Sequence, residues 1–412
     1  MPNPVIAYPG GLSAVGVGKE ATFGTIQIPS VFAPATESAI EPDPGIFYPE
    51  VMTGLRDLNI YALQGQVKVA GNIAGPMYPS SGAPLFIGAL GTDNCQSGTA
   101  PGVNKNGTLA AAAANATTLT YTLVAGVAPV ANDYLQIGPA LTTYGAAALI
   151  PGVSQVIKIT SVTGAGPYTL TVPPIPYAVG ASAIAQNVQA PFFHNAGYQN
   201  TLPSFTIEKN TGGFESIQYR GCRVNKFSLK LDTTNKAAEY TADMIGQSFT
   251  VLPTPTAITI DQSSPWVFAE ASVSLYGQLA SQIDSIQVDI DNGLKDIFTF
   301  NQAHFLNFLL AASFKVSGQA TAVWTSFDDP NWGYFNTAVG AVQGALSLTL
   351  THGAGGKETM SITIPQVNLT KYKDVLKTKD AIMTNLSFEG SYQFSSSSRI
   401  TASLSTQQNT PY

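Results

Sequence analysis

The segment FTIEKNTGGFESIQYRGCRVNKFSLKL, residues 205–231, is written a second time in altered form as LTLTHGAGGKETMSITIPQVNLTKYKD, residues 348–374. At a constant offset of 143 the identities are Thr206/Thr349, Gly212/Gly355, Gly213/Gly356, Glu215/Glu358, Val224/Val367, Asn225/Asn368 and Lys230/Lys373. Between them apolar meets apolar at Phe205/Leu348, Ile207/Leu350 and Ile217/Met360. Chance supplies roughly one or two identities over such a stretch, so one fold written twice is the expectation. The doubled glycines interrupt two alternating runs, which is where a turn between strands belongs. Gly212 and Gly213 are therefore expected to be turn equivalents of Gly355 and Gly356.

A second echo pairs VKVAGNIAG from Val67 with FKVSGQATA from Phe314, through Lys68/Lys315, Val69/Val316 and Gly71/Gly318, at an offset of 247. The mismatch between the two offsets requires about a hundred extra residues inside the first copy. Composition places them: residues 101–200 hold three charges, Lys105, Asp133 and Lys158, among Ala, Thr, Gly, Val and Pro. This insert alternates at TLTYTLV from Thr118, DYLQIG from Asp133, SQVIKITSV from Ser154 and YTLTV from Tyr168, so it reads as a small β-sandwich or barrel. LAAAAANAT from Leu109 fits a helical turn or a flexible entry. Short helices are expected at PLFIGALG from Pro84 and, in the second copy, over Trp332, Phe335 and Val339, which share one helical face. SIQVDIDNG from Ser285 reads as a strand entering a turn, with Ile286, Val288 and Ile290 on one face and Ser285, Gln287, Asp289 and Asp291 on the other.

The expected division is an N-terminal arm and start of the first domain over 1–50, and the first domain over 51–100 and 201–262. The insert occupies 101–200, the second domain 263–400, and a tail 401–412. The stretch VLPTPTAITIDQSSPW from Val251 is the expected join. Two tandem β-sandwich or barrel domains, each with a short helix, plus an inserted β-domain make a mainly β chain.

Charged residues are only 11% of the chain, against about 25% in ordinary globular proteins, so much of its surface is expected to be covered in an oligomer or array. A net charge of −6 argues against a surface built to grip nucleic acid. The 17 Tyr and 20 Phe are not interleaved with basic residues, so they read as core and interface, not as base-stacking platforms. Cys95 and Cys222 define neither a disulfide framework nor a metal spacing. MPNPVIAYPGG has no basic n-region followed by an apolar stretch, and the richest apolar run, FLNFLLAASF from Phe305, is too short to span a bilayer. No leader and no membrane insertion are expected.

No catalytic constellation emerges. GVGKEATFG from Gly16 has Ser13 and Glu20 where a phosphate loop needs Gly and Ser or Thr. His194, His304 and His352 have no partners at metal-ligand spacing and no nucleophile context. Asp289, Asp291 and Asp296 resemble part of a calcium loop, but Gly293 stands at position five and no glycine at six. Asn-X-Ser/Thr triplets at Asn106, Asn115, Asn368 and Asn385 carry meaning only in a secreted protein. No enzyme, cofactor or metal is expected.

GKEATFGT from Gly18, VKVAGNIAG, SFTIEKN…YRGCRVNKFSL from Ser204, SIQVDIDNG, FKVSGQATAVWTSFDDPNW from Phe314 and LSLTLTHGAGG…SITIPQVNL from Leu346 together resemble the major tail tube proteins of long-tailed, siphovirus-type bacteriophages. The resemblance implies a β-sandwich flanked by a short helix, its strands joining across subunits into a ring. Stacked rings would make the hollow tube through which viral DNA is delivered. Two fused copies imply a pseudo-hexameric ring of three chains, with a ring of six as the alternative, and an insert on the tube exterior. It further implies self-association, tape measure and tail terminator or tip proteins as partners, DNA passing without specific binding, and a place in the virion after assembly in the host cytoplasm. Ser285, Gln287, Asp289 and Asp291 are the candidates for the channel face. A β-rich adhesin or carbohydrate-binding head is the alternative function.

Overall fold

The computed structural model describes residues 11–406 apart from 12, 30–31, 50–61, 80, 92, 97–104, 114–115, 132, 138–154, 173–178, 180–182, 188–191, 198, 213–214, 235–236, 259–263, 277, 280–281, 301–303, 324–342, 353–357, 376–381 and 396–397. The protein is mainly β, with one α-helix among the described residues. The helix expected over Trp332–Val339 and the glycines Gly213, Gly355 and Gly356 lie outside them.

The chain opens with β1 (Ala14–Lys19), β2 (Phe32–Ala33), β3 (Glu37–Ser38), β4 (Glu41–Asp43), the hairpin β5 (Ile46–Phe47) and β6 (Leu63–Gln64), β7 (Lys68–Pro76), α1 (Ala83–Leu90) and β8 (Asn94–Gln96). The charge-poor region forms β9 (Lys105–Leu109), β10 (Thr118–Gly126), β11 (Tyr134–Ile137), β12 (Gln155–Lys158), β13 (Ser161–Thr163), β14 (Tyr168–Thr171) and β15 (Ala183–Asn187). The chain then returns through β16 (Phe192–Gly197), β17 (Phe205–Thr211), β18 (Glu215–Asp232), β19 (Glu239–Gly246) and β20 (Ser248–Leu252). It ends with β21 (Ala271–Leu275), β22 (Gln278–Leu279), β23 (Ile283–Asp291), the hairpin β24 (Leu294–Ile297) and β25 (Phe308–Ala311), β26 (Lys315–Val323), β27 (Gly344–His352), β28 (Glu358–Val375), β29 (Met383–Gly390) and β30 (Thr401–Thr406).

β9 to β15 make a seven-stranded antiparallel sheet of their own, in the order β12-β11-β15-β9-β10-β14-β13. Leu119, Tyr121, Leu135, Ile159 and Leu170 close a core separate from the main one. The alternation of polar and apolar residues in β10 and β14 is what buries one face and wets the other. Leu109 ends β9, the Ala110 N–H donates to Thr120 O and Ala112 bridges Val179, so the alanine run enters this sheet as extended chain as far as Ala112.

The main sheet is read along its ladders. β3 and β4 lie in line on β7, β7 pairs with β19, and β19 with the C-terminal half of β18. That half of β18 pairs on its other side with β23, which continues through β26 and β29 to the C-terminal half of β28. The N-terminal half of β18 belongs to a second layer, between β17 and β20; that of β28 lies between β27 and β30.

Each long strand changes layer by means of two bulges. In β18 the core side chains are Tyr219, Cys222, Val224 and Phe227; in β28 they are Ile364, Val367, Leu369 and Tyr372, with the same three-two-three spacing. A bulge adds a residue and sharpens the local twist, so two of them bend one continuous strand around a core corner. Gly221 sits in the first bulge of β18 at φ 64, where a Cβ would come 2.7 Å from the Gln247 side chain.

These spacings correct the sequence alignment. The long strands occupy identical bounds at an offset of 143, but their bulges and buried faces correspond at 145. Val367 therefore stands where Cys222 does, not where Val224 does. The β27–β28 hairpin carries its arms further beyond the bulge than β17–β18, and identity at the hairpin cannot register that growth. β7 and β26 do correspond at 247, as read from the sequence.

The core lies against the apolar face of this sheet. Pro84 opens α1, whose Leu85, Phe86, Ile87, Ala89 and Leu90 are buried, and Gly91 N–H closes it on Ile87 O. Phe86 meets Phe227 at 5.4 Å between ring centroids, and Phe227 stacks on Tyr240 at 5.8 Å. Burial of each such ring contributes about 2–3 kcal/mol of transfer free energy, which is why this short helix holds its place.

Candidate functional site: an internal strand seam and two open edges

The β18–β23 pairing joins the two halves of the sheet. Its register sets Lys226 opposite Asp291, Ser228 opposite Asp289, Lys230 opposite Gln287 and Asp232 opposite Ser285. Between these rungs Phe227, Leu229 and Leu231 face Ile290, Val288 and Ile286, all turned into the core. Alternation on both strands thus gives the seam one apolar and one polar face.

The bulge residue Asn225 fixes one end of the seam. Its carbonyl accepts the Asn292 N–H and its Oδ1 the Leu294 N–H, both at 2.8 Å. Asn292 is only 3% exposed, and its Nδ2 donates to Ala89 O at 2.9 Å and Val224 O at 3.0 Å. One amide therefore ties the end of α1, β18 and the turn after β23. At the other end the Thr233 hydroxyl donates to Asp284 Oδ1 at 2.6 Å.

The β24–β25 hairpin then lies over the first half of the sheet. Lys68 Nζ reaches Asp296 Oδ2 at 3.0 Å, Arg223 donates to Leu309 O at 2.6 Å, and Val67 N–H to His304 O at 2.8 Å. Burial lowers the pKa of the Arg223 guanidinium, with Glu20 opposing, and its plane lies 4.8 Å over the Phe23 ring. Asp296 is thus an ion-pair partner and not the third ligand of a calcium loop.

Ser285, Gln287, Asp289 and Asp291 lie on the polar face of β23, half-buried between β18 and β26. Gln287 Nε2 donates to Asp289 Oδ1 at 2.9 Å, and Asp291 Oδ1 accepts the Gly293 N–H at 2.9 Å. The same face carries Glu37, Glu41, Asp43, Glu239, Asp243, Asp232 and Glu389 among the acids, and Lys68, Lys226, Lys230, Lys315, Lys371 and Lys373 among the bases. Acids outnumber lysines across it. Gly212 occupies the β17–β18 turn at φ 64.

The loop-like stretch from Gly16 proves to be a strand, β1, followed by a buried joint. Glu20 Oε1 accepts the Thr206 hydroxyl and the Gly221 N–H at 2.9 and 2.8 Å, and Oε2 accepts the Gly24 N–H at 2.8 Å. Lys19 ends β1 opposite Phe205, its pKa lowered by burial against the opposing pull of Asp93. Nearby Glu208 is fully buried and takes hydrogen bonds from Gln218 and from both Thr256 donors. Burial alone would raise its pKa, but the Gln218, Thr256 and Ser216 hydrogen bonds outweigh it and hold the carboxyl below its usual range. Among the described residues no three His, Cys, Asp or Glu side chains gather where they could hold a metal ion.

Two edges of the eight-strand ladder have no strand against them among the described residues: the outer side of β3–β4 and the outer side of the C-terminal half of β28. Ile46 and Leu63 of the adjoining β5–β6 hairpin are 56% and 46% exposed, with Phe47 and Tyr48 beside them. Open edges and bare apolar residues side by side mark an interaction surface.

Sequence inspection overlooked one signal. EPDPG (41–45) and DIDNG (289–293) share Asp-X-Gly, and both glycines have positive φ, 57 and 50, with their N–H groups on the preceding aspartate. A Cβ on Gly45 would fall 1.9 Å from Gln66 O. Each turn leads from a strand of the main sheet, β4 or β23, into a short hairpin, β5–β6 or β24–β25.

A family model described as phage tail tube protein matches residues 10–390. No curated protein matches the chain. No helix among the described residues is long and apolar enough to cross a membrane.

Proposed function

Because the chain belongs to the phage tail tube protein family, we propose that it closes into rings which stack as the wall of a siphovirus-type tail, a conduit for viral DNA. Each chain contributes two fused, related units, so three chains make a pseudo-hexameric ring; the matching bulge spacing of β18 and β28 and the matching Asp-X-Gly turns support this. The separate sheet of β9–β15 decorates the exterior. Tape measure, tail terminator and tip proteins are the partners within the virion, which assembles in the host cytoplasm.

The observation that carries this reading is the polar face of the eight-strand ladder. It is continuous from β3–β4 to β28, and richer in acids than in lysines. Facing the bore, its excess of acids presents DNA phosphates with net like charge, so the duplex slides without binding. Gln287 and Asp289 then line the channel.

Negative-stain microscopy of the purified protein tests assembly, and native mass measurement counts chains per ring. Rings or tubes of uniform bore, with three chains per ring, are expected; monodisperse monomers at all concentrations refute the proposal. A gold-tagged Gln287→Cys tests the bore assignment. Density inside the tube is expected, and density on its outer wall overturns that assignment.

A further inference from the structure

The seam inside the chain specifies the seam between chains. We infer that the open edge of β28 in one copy is closed by β3–β4 of a second copy, antiparallel, with Lys371 opposite Asp43 and Lys373 opposite Glu41. This rests on the ring-forming reading above and names the strands and register that form the ring.

The register follows from three correspondences. β7 and β26 match at an offset of 247, β3–β4 and β23 at 248 through their pairing with those strands, and β18 and β28 at 145 through their bulges. Transferring the observed Lys226–Asp291 and Ser228–Asp289 rungs by these offsets gives Lys371–Asp43 and Lys373–Glu41.

Charge agrees with a register derived from backbone pairing alone. Asp291 lies between Lys226 on β18 and Lys315 on β26. Asp43 already has Lys68 beside it on β7, and the transferred register supplies Lys371 on its other side. Glu41 and Lys373, both exposed, become direct cross-strand partners in place of the neutral-to-acid Ser228–Asp289 rung. Slipping the register by two leaves a lysine facing Ala39 or an unpaired acid, and slipping it by one turns the buried Ile40 outward.

The apolar hairpin fits the same transfer. β24–β25 covers the first half of the sheet through Lys68–Asp296 and Arg223–Leu309. By the same offsets β5–β6 of the second copy falls over the second half, near Lys315, covering Ile46 and Leu63.

The experiment uses the full chain with Glu41→Cys and Lys373→Cys together, assembled, oxidised and run on a non-reducing gel beside microscopy of the same sample. Directly opposite residues of an antiparallel pair have Cα atoms about 4.5–5.5 Å apart, within the Cα separation a disulfide spans. Conversion of monomer to covalent multimers is expected, absent from either single variant. The control pair Glu37→Cys with Lys371→Cys, six rungs or about 20 Å out of register, should stay monomeric. Rings that form without the in-register link, or with the control link instead, overturn the register while the ring reading stands; absence of both rings and links overturns the two together. Independently, Lys373→Glu should raise the concentration needed for assembly roughly tenfold or more, and Glu41→Lys added to it should restore assembly. Failure of the double reversal to restore it overturns the pairing.

Discussion

Replacing Asn292 tests whether the seam is held by one buried amide. Asn292→Ala removes two hydrogen bonds, from Nδ2 to Ala89 O and to Val224 O, and leaves both carbonyls without that donor in a site 3% exposed. Each lost bond costs about 1–1.5 kcal/mol, and stranded buried acceptors bring the sum to roughly 2–4 kcal/mol. Asn292→Asp is nearly isosteric, yet it turns two donors into a carboxylate facing two carbonyls, so its cost should equal or exceed that of alanine. Urea unfolding followed by tryptophan fluorescence reads both, since Trp266 is buried in the main core and the insert region holds no tryptophan. A loss of about 3 kcal/mol lowers the folding equilibrium constant by about two orders of magnitude. The insert core, which excludes Trp266, should melt unchanged when followed by exchange of β10 and β14 amides. If Asn292→Asp unfolds at the wild-type urea midpoint at neutral pH, the seam does not depend on this amide and the reasoning fails.

Glu208 should give the protein part of its acid sensitivity. Its carboxyl titrates lower in the folded than in the unfolded chain, so its stabilisation is complete above the unfolded carboxylate pKa and is lost as pH falls through the folded value. Glu208→Gln should flatten the fall of melting temperature below about pH 4.5, and an unchanged acid limb would contradict this. The Cys222 thiol is fully buried and its pKa pushed far above the usual thiol range by desolvation, with Glu20 adding to the effect. A water-soluble alkylating reagent should therefore leave the Cys222 peptide unmodified in the native protein and modify it fully in denaturant, as mass spectrometry would show.

Much of the main sheet was legible because strand alternation is local. β23 buries Ile286, Val288 and Ile290 as its sequence pattern requires, and Lys68/Lys315 marks two strands of identical length. α1 was visible from Pro84 and its apolar run, and the alternating segments from Thr118, Asp133, Ser154 and Tyr168 fall on strands of the separate sheet, whereas β16, in the same charge-poor stretch, pairs with β8 and β30 of the main sheet. The identities at 143 pointed to the right strands at the wrong register, because a hairpin can lengthen by whole rungs while its polar residues still align. Asn292 looked like an ordinary turn residue. Nothing in DIDNG says that its amide will meet a helix end some 200 positions earlier in the chain.

The sequence by itself determined which segments are strands, which face of each is apolar, and that a related pattern occurs twice; these depend on alternation every second residue. Only the tertiary structure decided how far β28 slides relative to β18, that β18 takes β23 as its neighbour, and that β3–β4 and β28 are left open. The physical reason is that register and strand order come from backbone hydrogen bonding between residues far apart in the chain, and every strand offers the same donors and acceptors whatever its side chains.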